Sequence, residues 1–414
     1  MGKVDIDDLR CGMALSCDVV GKNGRKLLCA GTVLEPGHLR VLRIWGVGAV
    51  DVADVTAGAG EAAGHAPDNG GEDPGGQDAA RELLARRFAL ADRSHPAMDA
   101  LYRCCLREFE RGDRCPLPPA PPDPPAQGDA SKPLSDPPAG PEALLAGDAS
   151  LASFPDIYFR LREAIADPGA SAGHIAGIIG SDPGLAATLL RLANSPFYGL
   201  SRPIDSLARG VLLIGAGELA QLALGVAVAD RFRDIPACCL TMRQVWEHAV
   251  GCGVLARVLA AHVGGVSQER LFVAGLLHDL GRLVMLRRLP GHMAAAMALA
   301  RKEGLPVAAA ERRLFGFDHA AVGRALLALW RLPPELAEAV GGHHGGEDMS
   351  LDACIVHVAD VATVAAGLGF NGSVAAPPLD PAAWDALGLD PSVMTVALSQ
   401  ARRQVDDIVS SLLG

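Results

Sequence analysis

From Ser150 to the C-terminus, apolar residues recur every three to four positions, broken by short turns at Ala166-Asp-Pro-Gly, Ser181-Asp-Pro-Gly, Ser195-Pro and Leu332-Pro-Pro. That period lines one face of a helix, and no run alternates strictly enough for a strand, so the pattern predicts an all-α domain over residues 150–414. An earlier island, residues 78–111, carries Leu83, Leu84, Phe88, Leu101, Cys105 and Phe109 at helical spacing, with a break near His95-Pro96. The first 56 residues read differently. Met13–Val20 and Lys26–Val33 flank Asn23-Gly24, which suits the two positive-φ positions of a type I′ hairpin, and Ala49–Val55 fits a closing strand. Between these lie two spacers. Residues 57–77 are small, polar and unpatterned, the composition of a flexible linker. Residues 112–149 are dense in proline and predict a semi-extended spacer with nothing to build a core from. The expected fold class is therefore mainly α: an all-α domain preceded by a small β-rich N-terminal domain and a Pro-rich linker.

Composition narrows the function. The 414 residues carry a net charge of −11 and only 4% aromatics. That argues against DNA or RNA binding, which needs a Lys/Arg excess or stacking platforms. The acidity is uneven: residues 1–149 hold 16 basic and 23 acidic side chains, or −7, while residues 150–414 hold 21 and 25, or −4. A near-balanced C-terminal domain is still free to accept a nucleotide. None of the ten cysteines forms a C-x-x-C pair, and the N-terminus lacks an apolar signal region, so the expectation is reduced thiols in a cytoplasm. The longest apolar run, Val211–Ala229, is interrupted by Glu218 and Gln221 and reads as a buried helix, with no membrane insertion. Phosphate-binding and nucleophile-elbow motifs do not occur.

The chemistry concentrates in the histidines, eight of twelve falling between residues 248 and 357. Leu271-Phe-Val-Ala-Gly-Leu-Leu-His278-Asp279-Leu-Gly-Arg282 sets a His-Asp pair in an apolar helical stretch. A buried carboxylate costs several kcal/mol unless something compensates it. On the pair alone two readings stand: a metal over the face between the two side chains, or Asp279 paired with Arg282 beside a hydrogen-bonded His278. Further residues favour the metal. His248 lies on an amphipathic helix, His319 in Phe317-Asp-His, His343 and His344 after a helix begun at Pro333-Pro334, and Asp360 in another apolar helix. Imidazole and carboxylate together suit Zn, Fe or Mn. His357, one turn before Asp360, fits packing or support of such a site.

The series His248…His278-Asp279…Asp360 resembles the metal-binding set of the HD phosphohydrolase superfamily. Two further segments, Ser181-Asp-Pro-Gly-Leu through Asn194-Ser-Pro-Phe-Tyr-Gly199 and Ile204-Asp-Ser-Leu through Gly210-Val-Leu-Leu-Ile-Gly215, are similar to the signature of the HDOD domain, an HD-related output module of bacterial signalling proteins. This resemblance covers about residues 150–370. The N-terminal unit is similar to a small domain found ahead of some HD-type signalling proteins. The related HD-GYP phosphodiesterases imply one metal on His248, His278, Asp279 and Asp360. Asp279 would then bridge to a second metal held by His319, His343 and His344. The cofactor implied is one or two divalent ions (Fe, Mn, Zn or Mg), with Asp279 and Arg282 as catalytic residues and Arg282 where that family has a phosphate-facing Lys. Two departures follow. No Gly-Tyr-Pro loop comes after His343-His344, and Gln244 replaces a carboxylate that some relatives use for a third metal. The resemblance thus implies either a signal-transduction regulator acting on a protein partner or nucleotide ligand, or a metal-dependent phosphohydrolase.

Overall fold

The computed structural model describes residues 74–110, 136–146, 156–195, 203–232 and 240–413, single residues between them, and short stretches of the first 52. The chain divides into two compact units: Met1–Glu72 with Gly199–Arg202, and the remainder.

In the first unit, β1 (Gly2–Asp5) pairs antiparallel with β4 (Ala49–Val52), and β2 (Val19–Val20) with β3 (Lys26–Leu28). Leu15 donates to the Thr32 carbonyl at 2.9 Å and Leu34 to that of Met13 at 2.7 Å. These short pairs do not support a β-rich domain over residues 1–56. The expected Asn23-Gly24 turn lies outside the described residues, as do the spacers over 57–73 and most of 112–149.

The second unit consists of helices joined by turns and loops, with no strand among its described residues. It begins with α1 (Pro74–Arg87), α2 (Pro96–Glu110) and the short α3 (Pro141–Leu145). Next come α4 (Asp156–Ala166), α5 (Ala172–Gly180), α6 (Pro183–Ala193), α7 (Leu207–Ile214) and α8 (Ala216–Arg231). The polar turn residues are caps: Ser171, Asp182 and Ser206 accept from the backbone N–H three positions on, and Pro183 fills the first turn behind Asp182. Asn194 has a structural duty. Its amide donates to the Ile204 carbonyl at 2.8 Å and accepts from the Ile204 N–H at 2.6 Å, so one side chain clamps two connections together. The apolar run 211–229 bends by 117° between α7 and α8, and among the described residues no single helix is long and apolar enough to cross a membrane.

The chain continues with α9 (Met242–Val263), α10 (Gln268–Leu277), α11 (Leu280–Arg288), α12 (Pro290–Glu303), α13 (Val307–Phe315), α14 (His319–Leu329), α15 (Pro334–Gly341), α16 (Leu351–Ala366), α17 (Pro381–Leu387) and α18 (Val393–Leu413). Helix α9 is central, packed on α10, α16 and α18. The 78–111 island belongs to this same unit: Leu101 and Cys105 are fully buried, and Glu108 pairs with Arg402 on α18 at 2.7 Å.

Two glycine crossings set the helix spacing around the core. A Cβ on Gly275 would lie 2.7 Å from the Gly253 Cα, and one on Gly281 would lie 2.0 Å from the His319 carbonyl oxygen. Backbones approach this closely only where the residue at the crossing has no Cβ. The second crossing matters most, because it lays α11 directly on the start of α14.

Candidate metal centre

His278 and Asp279 do not sit within one helix, as their apolar surroundings suggest. The chain breaks there. Helix α10 ends at Leu277, α11 starts at Leu280, and Asp279 makes no side-chain cap although it occupies the N-cap position. The break aims both side chains inward. His248 enters from α9 and Asp360 from α16, and all four are 5% exposed or less.

Their ligand atoms converge. His248 Nε2 lies 3.2 Å from His278 Nε2, 3.1 Å from Asp360 Oδ1 and 3.5 Å from Asp279 Oδ2, while His278 Nε2 is 3.5 Å from each of the same two oxygens. Four ligands placed about 2.0–2.2 Å from a tetrahedral ion are separated from one another by roughly 3.3–3.6 Å. Three of the five distances fall on such an edge, and the other two, 3.1 and 3.2 Å, lie just below it. Both Asp279 oxygens and Asp360 Oδ1 are buried without a hydrogen bond, as is His343 Nε2. Lone pairs converging in a buried site with few donors are the chemistry of a cation site. These residues fit a divalent ion.

The supporting hydrogen bonds fix the rings. His278 Nδ1–H donates to the Gly275 carbonyl at 2.7 Å and His343 Nδ1–H to that of Val340 at 2.6 Å, which leaves each Nε2 free to ligate. His357 uses both nitrogens structurally, donating from Nδ1 to the His343 carbonyl at 2.9 Å and accepting from the Asp380 N–H at 2.9 Å. Gln244 completes the capping box of α9 with Thr241. Its carbonyl accepts from Phe370 N–H at 3.0 Å.

The remaining expected residues form a second half beside the first. His319 Nε2 lies 2.9 Å from Asp279 Oδ1 and 2.8 Å from His344 Nε2. His343 is shared, its ligand atom grouping with those of His278 and Asp279 and also with those of His319 and His344. Arg282 is turned inward and 3% exposed; its Nη2 is 2.8 Å from His319 Nε2 and 3.3 Å from Asp279 Oδ1, and its Nη1 donates to the Asn371 carbonyl.

Burial works to raise the Asp279 carboxyl, yet Arg282, His278 and His319 hold it well below the usual range. Asp360 is held low in the same way, against burial, by His248 and His278. Burial and Arg282 oppose protonation of His319, but Glu311 and Asp279 outweigh them and push its imidazole up to about 9. Burial, with His278 and His319 beside it, pushes His343 down to about 3.

Two residues escaped the sequence reading. Glu311 is fully buried and accepts from both His319 N–H, at 2.9 Å, and the ring Nδ1–H. A signal existed, since Val307, Glu311 and Phe315 recur every fourth residue on the buried face of α13. Asn371 places Nδ2 3.0 Å from His248 Nε2 and belongs to the tight Gly367–Gly372 loop, which has no periodic pattern. Outside the ligand cluster, a cavity of about 350 Å³ is bounded by Arg312, His344, Gly346, Pro377, Leu379 and Asp380. Arg312 pairs with Asp318, which caps α14.

Comparison with known proteins bears on the fold. The family model for the HDOD domain matches residues 151–345, a span that includes every expected ligand except Asp360. An HDOD domain protein of unknown function from Geobacter sulfurreducens is similar in structure, with 26% identity, a TM-score of 0.51, and coverage of 63% of this chain and 91% of that one. A protein from Shewanella amazonensis described as a "Putative phosphohydrolase" shares the fold at 20% identity and a TM-score of 0.50, covering 64% of this chain and 99% of that one. An uncharacterized protein of Treponema pallidum is 25% identical over 191 residues, 46% of this chain, which spans only 37% of that relative's length. Residues 151–345 are thus an HDOD domain.

Proposed function

We propose that this protein is a signal-transduction output protein whose HDOD domain holds a divalent metal in a regulatory centre, formed by His248, His278, Asp279 and Asp360. The observation that carries this reading is the convergence of four buried ligand residues, with five of the six separations between their ligand atoms at 3.1–3.5 Å. Sites with four protein ligands are closed and structural, whereas catalytic sites keep a position open for water. In this reading the metal locks α9, α10 and α16 together, and the domain's state is passed on through a protein partner.

A second reading, a metal-dependent phosphohydrolase, is favoured by the cavity of about 350 Å³ that reaches His344, whose ring contacts His319. A nucleotide phosphate there would lie beside the cluster. Metal analysis of the purified chain, followed by a panel of phosphomonoesters, nucleotides and cyclic dinucleotides, separates the two. The regulatory reading expects bound metal and no turnover. Turnover that Asp279→Ala abolishes without unfolding the chain replaces it with the enzymatic one, and a well-folded chain that takes up no metal refutes both.

A further inference from the structure

We infer that Arg282 serves as a built-in cation in the second half of the cluster, so that the domain takes a single divalent ion. This rests on the metal-binding reading above and deepens it. The HD-type resemblance implies a second ion between Asp279, His319, His343 and His344. In this chain that space faces a guanidinium. Arg282 Nη2 sits 2.8 Å from His319 Nε2 and 3.3 Å from Asp279 Oδ1, the two atoms a bridging second ion would need. The side chain is anchored at its other nitrogen by the Asn371 carbonyl and is 3% exposed, so it cannot swing into solvent without opening the core. A guanidinium carries only donors and keeps its charge at any physiological pH.

Charge counting points the same way. The buried centre holds three carboxylates, Asp279, Asp360 and Glu311, against the one guanidinium of Arg282. Asp318 is already matched by Arg312. Before any histidine is counted the sum is −2, which one divalent ion already cancels. A second would leave a positive excess beside the Arg282 guanidinium, and uncompensated buried charge is strongly unfavourable. The ion belongs to the first half, where two imidazoles and two carboxylates converge, each imidazole nitrogen lying 3.1–3.5 Å from an oxygen of both carboxylates.

The test is metal stoichiometry on the full chain, stripped with chelator, reloaded with excess Mn(II), desalted and analysed for bound metal. Mn(II) is chosen because the ten thiols retain it poorly. The wild type and Arg282→Lys, which keeps the charge, should each hold one ion. Arg282→Met, which removes the charge at similar length, should hold two. Asp360→Ala should release the single ion of the wild type but leave one in the Arg282→Met background. Two ions in the wild type overturn the inference, as does one ion in a folded Arg282→Met chain with unchanged affinity. Should that variant unfold, the wild-type and Arg282→Lys counts decide alone: one ion in each upholds the inference and two in either overturns it. A folded wild type holding none refutes the metal reading itself, a distinguishable result.

Discussion

Gly281→Ala is the sharpest probe of how the fold builds the centre. The added methyl would sit 2.0 Å from the His319 carbonyl oxygen and 2.5 Å from the Gly323 nitrogen, both backbone atoms with no rotamer to yield. Restoring an ordinary carbon–oxygen approach of about 3.3 Å requires α11 and α14 to part by roughly 1.3 Å. Overpacking of this kind costs about 3 kcal/mol, at the upper end of its usual range. In a domain of this size the melting temperature should fall by about 6 °C. The same movement displaces Asp279, two residues earlier, from the other ligands, so metal affinity should fall on the order of tenfold or more. The assay is thermal unfolding of stripped and Mn(II)-loaded protein, with Mn(II) titration at fixed temperature. Gly217→Ala is the control: a Cβ there meets nothing within 4 Å on α8, and relief of glycine's backbone entropy should stabilise by about 0.5–1 kcal/mol. A Gly281→Ala chain with wild-type melting temperature and Mn(II) affinity would show that this crossing does not position the centre.

Other outcomes follow from the same contacts. Asp360→Ala should abolish metal retention, checked by elemental analysis, because it removes one of four ligands and leaves the partner histidines facing each other. Loading metal to about a hundred times its Kd should raise unfolding free energy by about 2.7 kcal/mol, read in urea; an unshifted midpoint would mean that no ion binds the native state. Glu311→Gln keeps an acceptor but loses the charged bond to His319, and should destabilise by about 1–3 kcal/mol in the same assay. Asn194→Ala removes both bonds to Ile204 and should cost a similar amount while leaving metal content unchanged, since it lies outside the centre.

The sequence by itself determined the helical character of the chain from Asp156 onward and the caps that punctuate it. Both are local: apolar period, and a side-chain oxygen placed before a helix, act over a few residues. It also named the centre's candidates, because buried histidines and aspartates stand out in an apolar stretch. Only the tertiary structure decided how they divide. His248, His278, Asp279 and Asp360 come from α9, from the break between α10 and α11, and from α16, and nothing local sets the 3.1–3.5 Å distances between them. Glu311 stands beside Arg312 and Arg313 in the sequence, and it is the packing of α13 that puts its carboxylate under His319. Arg282, expected to face a phosphate, is turned inward onto His319 and Asp279 and anchored there by the Asn371 carbonyl, a contact from a distant loop. A residue's type limits the chemistry it can perform, and the packing of distant helices selects its partner.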